Sequence, residues 1–269
     1  MKKGRIHRVR RAAAERLEDL SIEKIIPSAL TLGGLCSGLT AIRFAFENEW
    51  HAAVAAIVCA AMFDALDGRA ARMLGADSRF GAQIDSLADM VSFGVAPCMI
   101  LYSWSLSRMG LGGWAFTLIY CICCAVRLAR FNIQALRDEG ATPTNPYFTG
   151  LPTPGAAGII LLPVLFSFEF HSAMFQNPIY SAVIIAIASP MMVSRLPTPS
   201  IKYLRLPRLY RPAAVAFSAL LLCLAVYWPW STLIASILIY VAMIPVGALM
   251  AFELQRQALR AGRDEIDSD

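Results

Sequence analysis

Apolar runs long enough to cross a bilayer follow one another through this chain, separated by short polar stretches that are mostly basic. A hydrocarbon core about 30 Å thick needs about 20 apolar residues in a helix, which satisfies every backbone N–H and C=O internally. The runs predict about eight transmembrane helices, near 26–46, 51–73, 81–104, 112–132, 153–169, 176–194, 212–228 and 231–252. Pro152, Pro154, Pro163 and Pro178 flank or interrupt the fifth and sixth. Composition agrees, since 57% of the 269 residues are hydrophobic and only 16% are charged, too few for a soluble chain of this size. The expected fold is an all-α, polytopic membrane helical bundle. It comprises a basic N-terminal segment (1–25), one transmembrane domain (26–252) and a C-terminal tail (253–269). Leu17, Leu20 and Ile25 form an apolar stripe, which predicts an N-terminal amphipathic helix lying at the membrane interface.

Eight spans place both termini on one side, and the cations say which. Lys2, Lys3, Arg5, Arg8, Arg10, Arg11, Arg16 and Lys24 precede the first span. Arg72, Arg79, Arg137, the five cations of 195–211 and Arg256, Arg260 and Arg263 fall on the same side. The other side offers Arg108, with Arg43 near the end of the first span. By the positive-inside rule, the basic side with both termini is cytoplasmic, in an integral, multi-pass protein of the cell's inner membrane. The net charge of +5 fits attraction to anionic membrane lipids. Nucleic acid is not an expected partner, because no basic stretch carries interleaved aromatics. No signal-peptide apolar segment or cleavage site follows residues 1–11, so no cleavage is expected. The seven cysteines fall in or at the ends of apolar runs without paired metal-ligand spacing, and read as small, buried, reduced thiols.

One stretch breaks the apolar pattern. Residues 64–89 read DALDGRAARMLGADSRFGAQIDSLAD and hold Asp64, Asp67, Asp85 and Asp89. On a helix, Asp64, Asp67, Gly68, Ala71 and Arg72 share one face, and so do Gly81, Asp85 and Asp89. Two helices can therefore present two carboxylates each to a common space. Carboxylate oxygens are natural ligands for hard cations such as Mg2+ and Mn2+, and a metal pair would relieve their repulsion and clamp phosphoryl oxygens. Gly68 and Gly81 leave room for a bulky ligand, and Arg72 offers a planar fork for phosphate. A solvated acidic helix pair is disfavoured, because each charge buried in apolar flanks costs about 2.5–3.5 kcal/mol on insertion scales.

The pattern D-x-x-D-G-x-x-A-R, eight residues, then G-x-x-x-D-x-x-x-D is present without departure. It resembles the signature of the CDP-alcohol phosphatidyltransferase family. Residues 85–97 (DSLADMVSFGVAP), 127–132 (RLARFN), 148–154 (FTGLPTP) and 27–31 (PSALT) are similar to the phosphatidylserine synthase branch. Ser28 departs from that branch, which often has asparagine there. The resemblance implies a metal-dependent transfer of phosphatidyl from CDP-diacylglycerol to L-serine, with CMP leaving. It implies Asp64, Asp67, Asp85 and Asp89 as ligands of two Mg2+ or Mn2+ ions, with Asp89 also the catalytic base. Gly68, Ala71, Arg72, Gly81 and Thr31 would contact CDP-diacylglycerol. Arg127, Arg130 and Asn132 are candidates for serine, and ordinary interfacial snorkelling is the alternative for the arginines. A homodimer is also implied.

Two other readings stay open. The same transfer could go to glycerol 3-phosphate, inositol phosphate or choline, with the basic 195–211 loop serving a phosphorylated acceptor. A divalent-cation transporter would place acidic residues near the midplane of several spans, and the interiors of spans four to eight have none.

Overall fold

The structure is a computed structural model and describes residues 22–75, 78–137, 148–194, 197–198, 223–245 and 247. The expected interfacial helix before Ile22, the greater part of the seventh span, the basic 199–211 loop and the C-terminal tail lie outside the described residues. The chain divides into two compact units, one ending at Ile100 and the other beginning at Leu101.

The first unit is built on helices α1 (Ile22–Phe46), α2 (Trp50–Leu74) and α3 (Arg79–Asp89). A π-helical turn, Met90–Val95, continues α3 into α4 (Ala96–Trp104), which runs past the division at Ile100. The buried positions of α1 are Pro27, Thr31, Gly34, Gly38, Ala41 and Ala45, a stripe in steps of three and four. Helix α2 packs against α1 and buries Ala53, Val54, Ile57 and Ala60. Small side chains on both helices permit close approach of the backbones, the main source of helix association where lipid is the solvent. The chain reverses between them at Asn48, which takes a left-handed backbone (φ 62°), a conformation asparagine tolerates. Leu32, Leu39, Met62 and Leu66 point outward. In water such a surface would be a liability, and against acyl chains it is the expected exterior.

The second unit holds α5 (Leu111–Arg137), α6 (Thr153–Phe170), α7 (Pro178–Val193) and α8 (Pro229–Pro245). Helix α6 is at its centre, with Ala156, Ala157 and every residue from Ile159 to Leu165 buried. Pro163 inside it is tolerated because neighbouring helices shield the freed backbone carbonyl. Helix α5 buries Gly113, Thr117, Tyr120, Cys124 and Leu128, again one stripe. Buried Ser105 and Ser181 hydrogen-bond each other at 2.8 Å, so neither hydroxyl is left unsatisfied in an apolar setting. Around one end of α6, Phe166, Phe170 and Phe175 pack together and Phe168 meets Trp230 edge-on, aromatics of the kind that settle at a membrane–water boundary.

Among the described residues, five helical segments are long and apolar enough to cross a membrane, namely Ile25–Phe46, Trp50–Leu74, Phe80–Trp104, Leu111–Gln134 and Thr153–Phe170. Pro178–Val193 and Pro229–Pro245 are shorter apolar helices. These match the first six expected spans and the eighth, and the all-α membrane-bundle reading holds. One addition to it is a two-residue antiparallel pair, Phe148–Thr149 with Pro197–Thr198. The cysteines partly depart from expectation. Cys98 and Cys124 are buried free thiols, but Cys36, Cys59 and Cys223 lie on exposed faces.

Candidate metal centre

The turn joining α2 to α3 sets the register of the acidic residues. Gly75 closes α2 in the left-handed conformation (φ 61°), its N–H donating to the Ala71 carbonyl. Ser78 opens α3, its hydroxyl oxygen accepting from the Gly81 N–H at 3.0 Å. Two signature positions thus serve the turn itself. The aspartates lie about two to three helical turns away from it, about 10–17 Å at 1.5 Å per residue.

Asp64, Asp67 and Asp85 converge. One carboxylate oxygen from each lies within 4.8 Å of the others. Asp89 joins them in lining a small recess, partly open to solvent. Thr31 and Gly34 of α1, Ala60 of α2, Ala88 of α3, and Ser92 and Phe93 of the π turn complete its wall. Every one of these residues belongs to the first unit.

Repulsion makes this arrangement informative. At 4.8 Å and an effective dielectric of about 20, two carboxylates repel by about 3.5 kcal/mol, and the cluster holds three such pairs. No arginine or lysine forms an ion pair with any of the three among the described residues. Three hard oxygen donors at this spacing fit a divalent cation, which would reverse the sign of that energy.

Asp67 is the most enclosed of the three, at 6% exposure. The Thr31 hydroxyl lies 2.7 Å from Asp67 Oδ2 and 3.0 Å from the Pro27 carbonyl, and the Gly68 N–H also donates to the Asp67 carboxylate. These donors fix its orientation. Residues that orient a metal ligand in this way typically contribute 10–100-fold to metal affinity or activity. Thr31→Val keeps the shape and removes the donor. The metal concentration for half-maximal activity should rise about tenfold, and Thr31→Ser should restore it. A titration unchanged by valine would show that Asp67 holds its position without Thr31.

The remaining candidates are placed as follows. Arg72 is exposed, and its Nη1 would lie 3.6 Å from a Cβ at Gly68, so the side chain folds back over that glycine. Arg127, Arg130 and Asn132 belong to the second unit. Arg127 Nη1 donates to Thr153 Oγ1 at 2.6 Å. Arg130 Nη1 donates to the Val193 carbonyl at 2.8 Å, neutralising the C-terminus of α7. Asn132 is half-buried on α5.

Sequence reasoning did not single out Gly34, Ala60, Ser92 or Phe93 as part of the recess. A visible signal existed on α1, where Gly34, Gly38, Ala41 and Ala45 repeat small residues at helical spacing.

The family model described as CDP-alcohol phosphatidyltransferase matches residues 24–194. A CDP-diacylglycerol–serine O-phosphatidyltransferase of Mycobacterium leprae is 39% identical over 224 residues, covering 82% of this chain and 74% of that protein. The Bacillus subtilis protein of the same name is 38% identical over 177 residues, covering 66% of this chain and 91% of that one. The crystal structure of Mycobacterium tuberculosis phosphatidylinositol phosphate synthase with manganese and citrate aligns at 22% identity and a TM-score of 0.45, over 69% of this chain and 85% of that one.

Proposed function

This chain belongs to the CDP-alcohol phosphatidyltransferase family, and from that premise we propose that it makes phosphatidylserine and CMP from CDP-diacylglycerol and L-serine. The observation that carries the chemistry is the convergence of Asp64, Asp67 and Asp85 within 4.8 Å. The acceptor rests on the relatives named as serine transferases, at 38–39% identity over 224 residues.

In this reading the serine hydroxyl attacks the phosphorus that bears diacylglycerol. An O–P bond to serine forms, the bond to CMP breaks, and CMP leaves with the electron pair. A serine hydroxyl needs a base within hydrogen-bond reach. Asp89, which lines the same recess, takes the proton. Asp64, Asp67, Asp85 and Asp89 would hold Mg2+ or Mn2+, as two ions. Bound metal supplies charge neutralisation at the diphosphate. Arg72, folded over Gly68, pairs with a phosphate of CDP-diacylglycerol, and Gly68, Ala71 and Gly81 are the small residues beside it in sequence that fit that substrate. Thr31 adds a hydroxyl beside the donor. Arg127 and Arg130 offer cations, and Asn132 an amide, to the amino-acid acceptor.

The protein sits in the inner membrane as a homodimer, with its basic segments, both termini and the aspartates at the cytoplasmic face. There the diphosphate can meet water-soluble serine while the acyl chains stay in lipid, and the basic segments meet anionic headgroups. A transport pathway would need acidic groups spread along several spans, whereas these cluster near the joined ends of two.

The test is CMP release by the purified full-length protein with CDP-diacylglycerol and Mg2+ or Mn2+. Serine, glycerol 3-phosphate, inositol phosphate and choline are supplied separately. Release with serine alone is the expected result. Release with another acceptor instead would keep the family and overturn the substrate.

A further inference from the structure

Helix α1 carries two ties to the acidic site, three residues apart. The Thr31 hydroxyl reaches Asp67 on α2. The Gly34 carbonyl accepts a hydrogen bond at 3.1 Å from the hydroxyl of Ser92, on the π turn that follows α3. At 1.5 Å per residue the two ties lie about 4.5 Å apart along α1. Both belong to the first unit, as do the four aspartates.

Ser92 is a polar residue in an apolar setting, at 2% exposure. Packing alone does not call for it, since alanine would fit the same space and bring no hydroxyl to satisfy. Gly34 lies in the middle of α1, where a helical carbonyl accepts from the N–H four residues on, so it does not depend on Ser92 for a partner. A serine bond between helices in lipid adds little stability. What it does add is direction.

The π turn shows why direction matters here. The Ala96 N–H donates to the Val91 carbonyl, five residues back instead of four. Such a turn holds one residue more than an α turn, so helical hydrogen bonding can be met in more than one register. The Ser92 tie picks one. Asp89 stands three residues before Ser92, and Asp89 and Met90 keep helical torsions (φ −58°, ψ −43° and φ −59°, ψ −41°). The setting of Ser92 is therefore passed to Asp89 through one turn of regular backbone, and both residues line the recess.

We propose that Ser92 is a positioning residue, whose bond to the Gly34 carbonyl sets the Asp89 carboxylate against Asp67, the aspartate that Thr31 holds from the same face of α1. The proposal rests on the reading of Asp89 as base and metal ligand. Ser92 then acts through Asp89 and not on the fold at large.

The experiment is a double-substitution cycle on the full-length protein, read by Mn2+ binding, from the electron paramagnetic resonance of free Mn2+, and by CMP release. Ser92→Ala should weaken Mn2+ binding about tenfold and lower serine-dependent CMP release at least as much. Asp89→Asn alone should also weaken Mn2+ binding. Adding Ser92→Ala to Asp89→Asn should weaken it further by about twofold or less, because the group through which the hydroxyl acts is gone. Unchanged Mn2+ binding in Ser92→Ala would overturn the proposal. So would a loss of the same size in the Asp89→Asn background, since the hydroxyl would then support the fold alone. An Asp89→Asn protein that binds Mn2+ and releases CMP as the unsubstituted protein does would instead overturn the reading of Asp89.

Discussion

Asp85→Asn should lower CMP release at least a thousandfold, and the same substitution should leave the metal-free protein no less stable than before. The two effects have one cause. The substitution keeps the size of the side chain and removes its charge, and with it two of the three repulsive pairs in a cluster packed within 4.8 Å. Without metal, that repulsion opposes folding, so its relief stabilises. With metal, the same carboxylate is a ligand, and a metal site that loses a charged ligand from so small a set loses most of its affinity. Active sites commonly hold such a conflict, accepting strain in the apo state for function. Melting curves check this directly. Mn2+ should raise the melting temperature of the unsubstituted protein by several degrees and that of the variant by much less. Loss of activity together with a lower metal-free melting temperature would mean that Asp85 supports the fold rather than the metal. Retained activity would remove Asp85 from the site altogether.

The acidic cluster was legible because helical phase is local. Residues at i, i+3 and i+4 share a face whatever surrounds them, so Asp64 and Asp67 on α2, and Asp85 and Asp89 on α3, could be paired from spacing alone. The short connection between the two helices then brings the pairs together. Contacts across long sequence separations were not legible. The Thr31 hydroxyl meets Asp67, thirty-six positions away. Arg130 reaches the end of α7 across sixty-three positions, and nothing local in Arg-Leu-Ala-Arg announces a helix cap. The π turn at Met90–Val95 was also invisible, since MVSFGV carries no helix breaker beyond one glycine.

Gly38→Ala should cost about a hundredfold in activity, although Gly38 lies two turns along α1 from Thr31 and bears no functional group. A Cβ at Gly38 would lie 2.5 Å from Ser92 Oγ, 3.0 Å from Ser92 Cβ and 2.7 Å from Ser92 Cα. The hydroxyl could rotate away, but the Cα belongs to the backbone and cannot. Helix α1 and the π turn would have to separate by roughly 1 Å to restore ordinary contact. Ser92 is 2% exposed and donates to the Gly34 carbonyl at 3.1 Å, so the separation would also break this tie. The recess lies between the same elements, with Thr31 and Gly34 on one wall and Asp85, Asp89 and Ser92 on another. Overpacking of this kind typically costs about 1–3 kcal/mol of stability, and a displacement of 1 Å at a reacting centre can cost about 10²-fold in rate. Leu39→Ala, at the neighbouring exposed position, is the control and should change neither quantity appreciably. The decisive reading is the metal titration of the alanine variant at position 38. If α1 holds Asp67 through Thr31 while the π turn follows directly on Asp89, widening the gap must raise the metal requirement along with lowering the maximal rate. A variant that loses stability but keeps the metal dependence of the unsubstituted protein would show that the close approach of Gly38 to Ser92 serves packing alone.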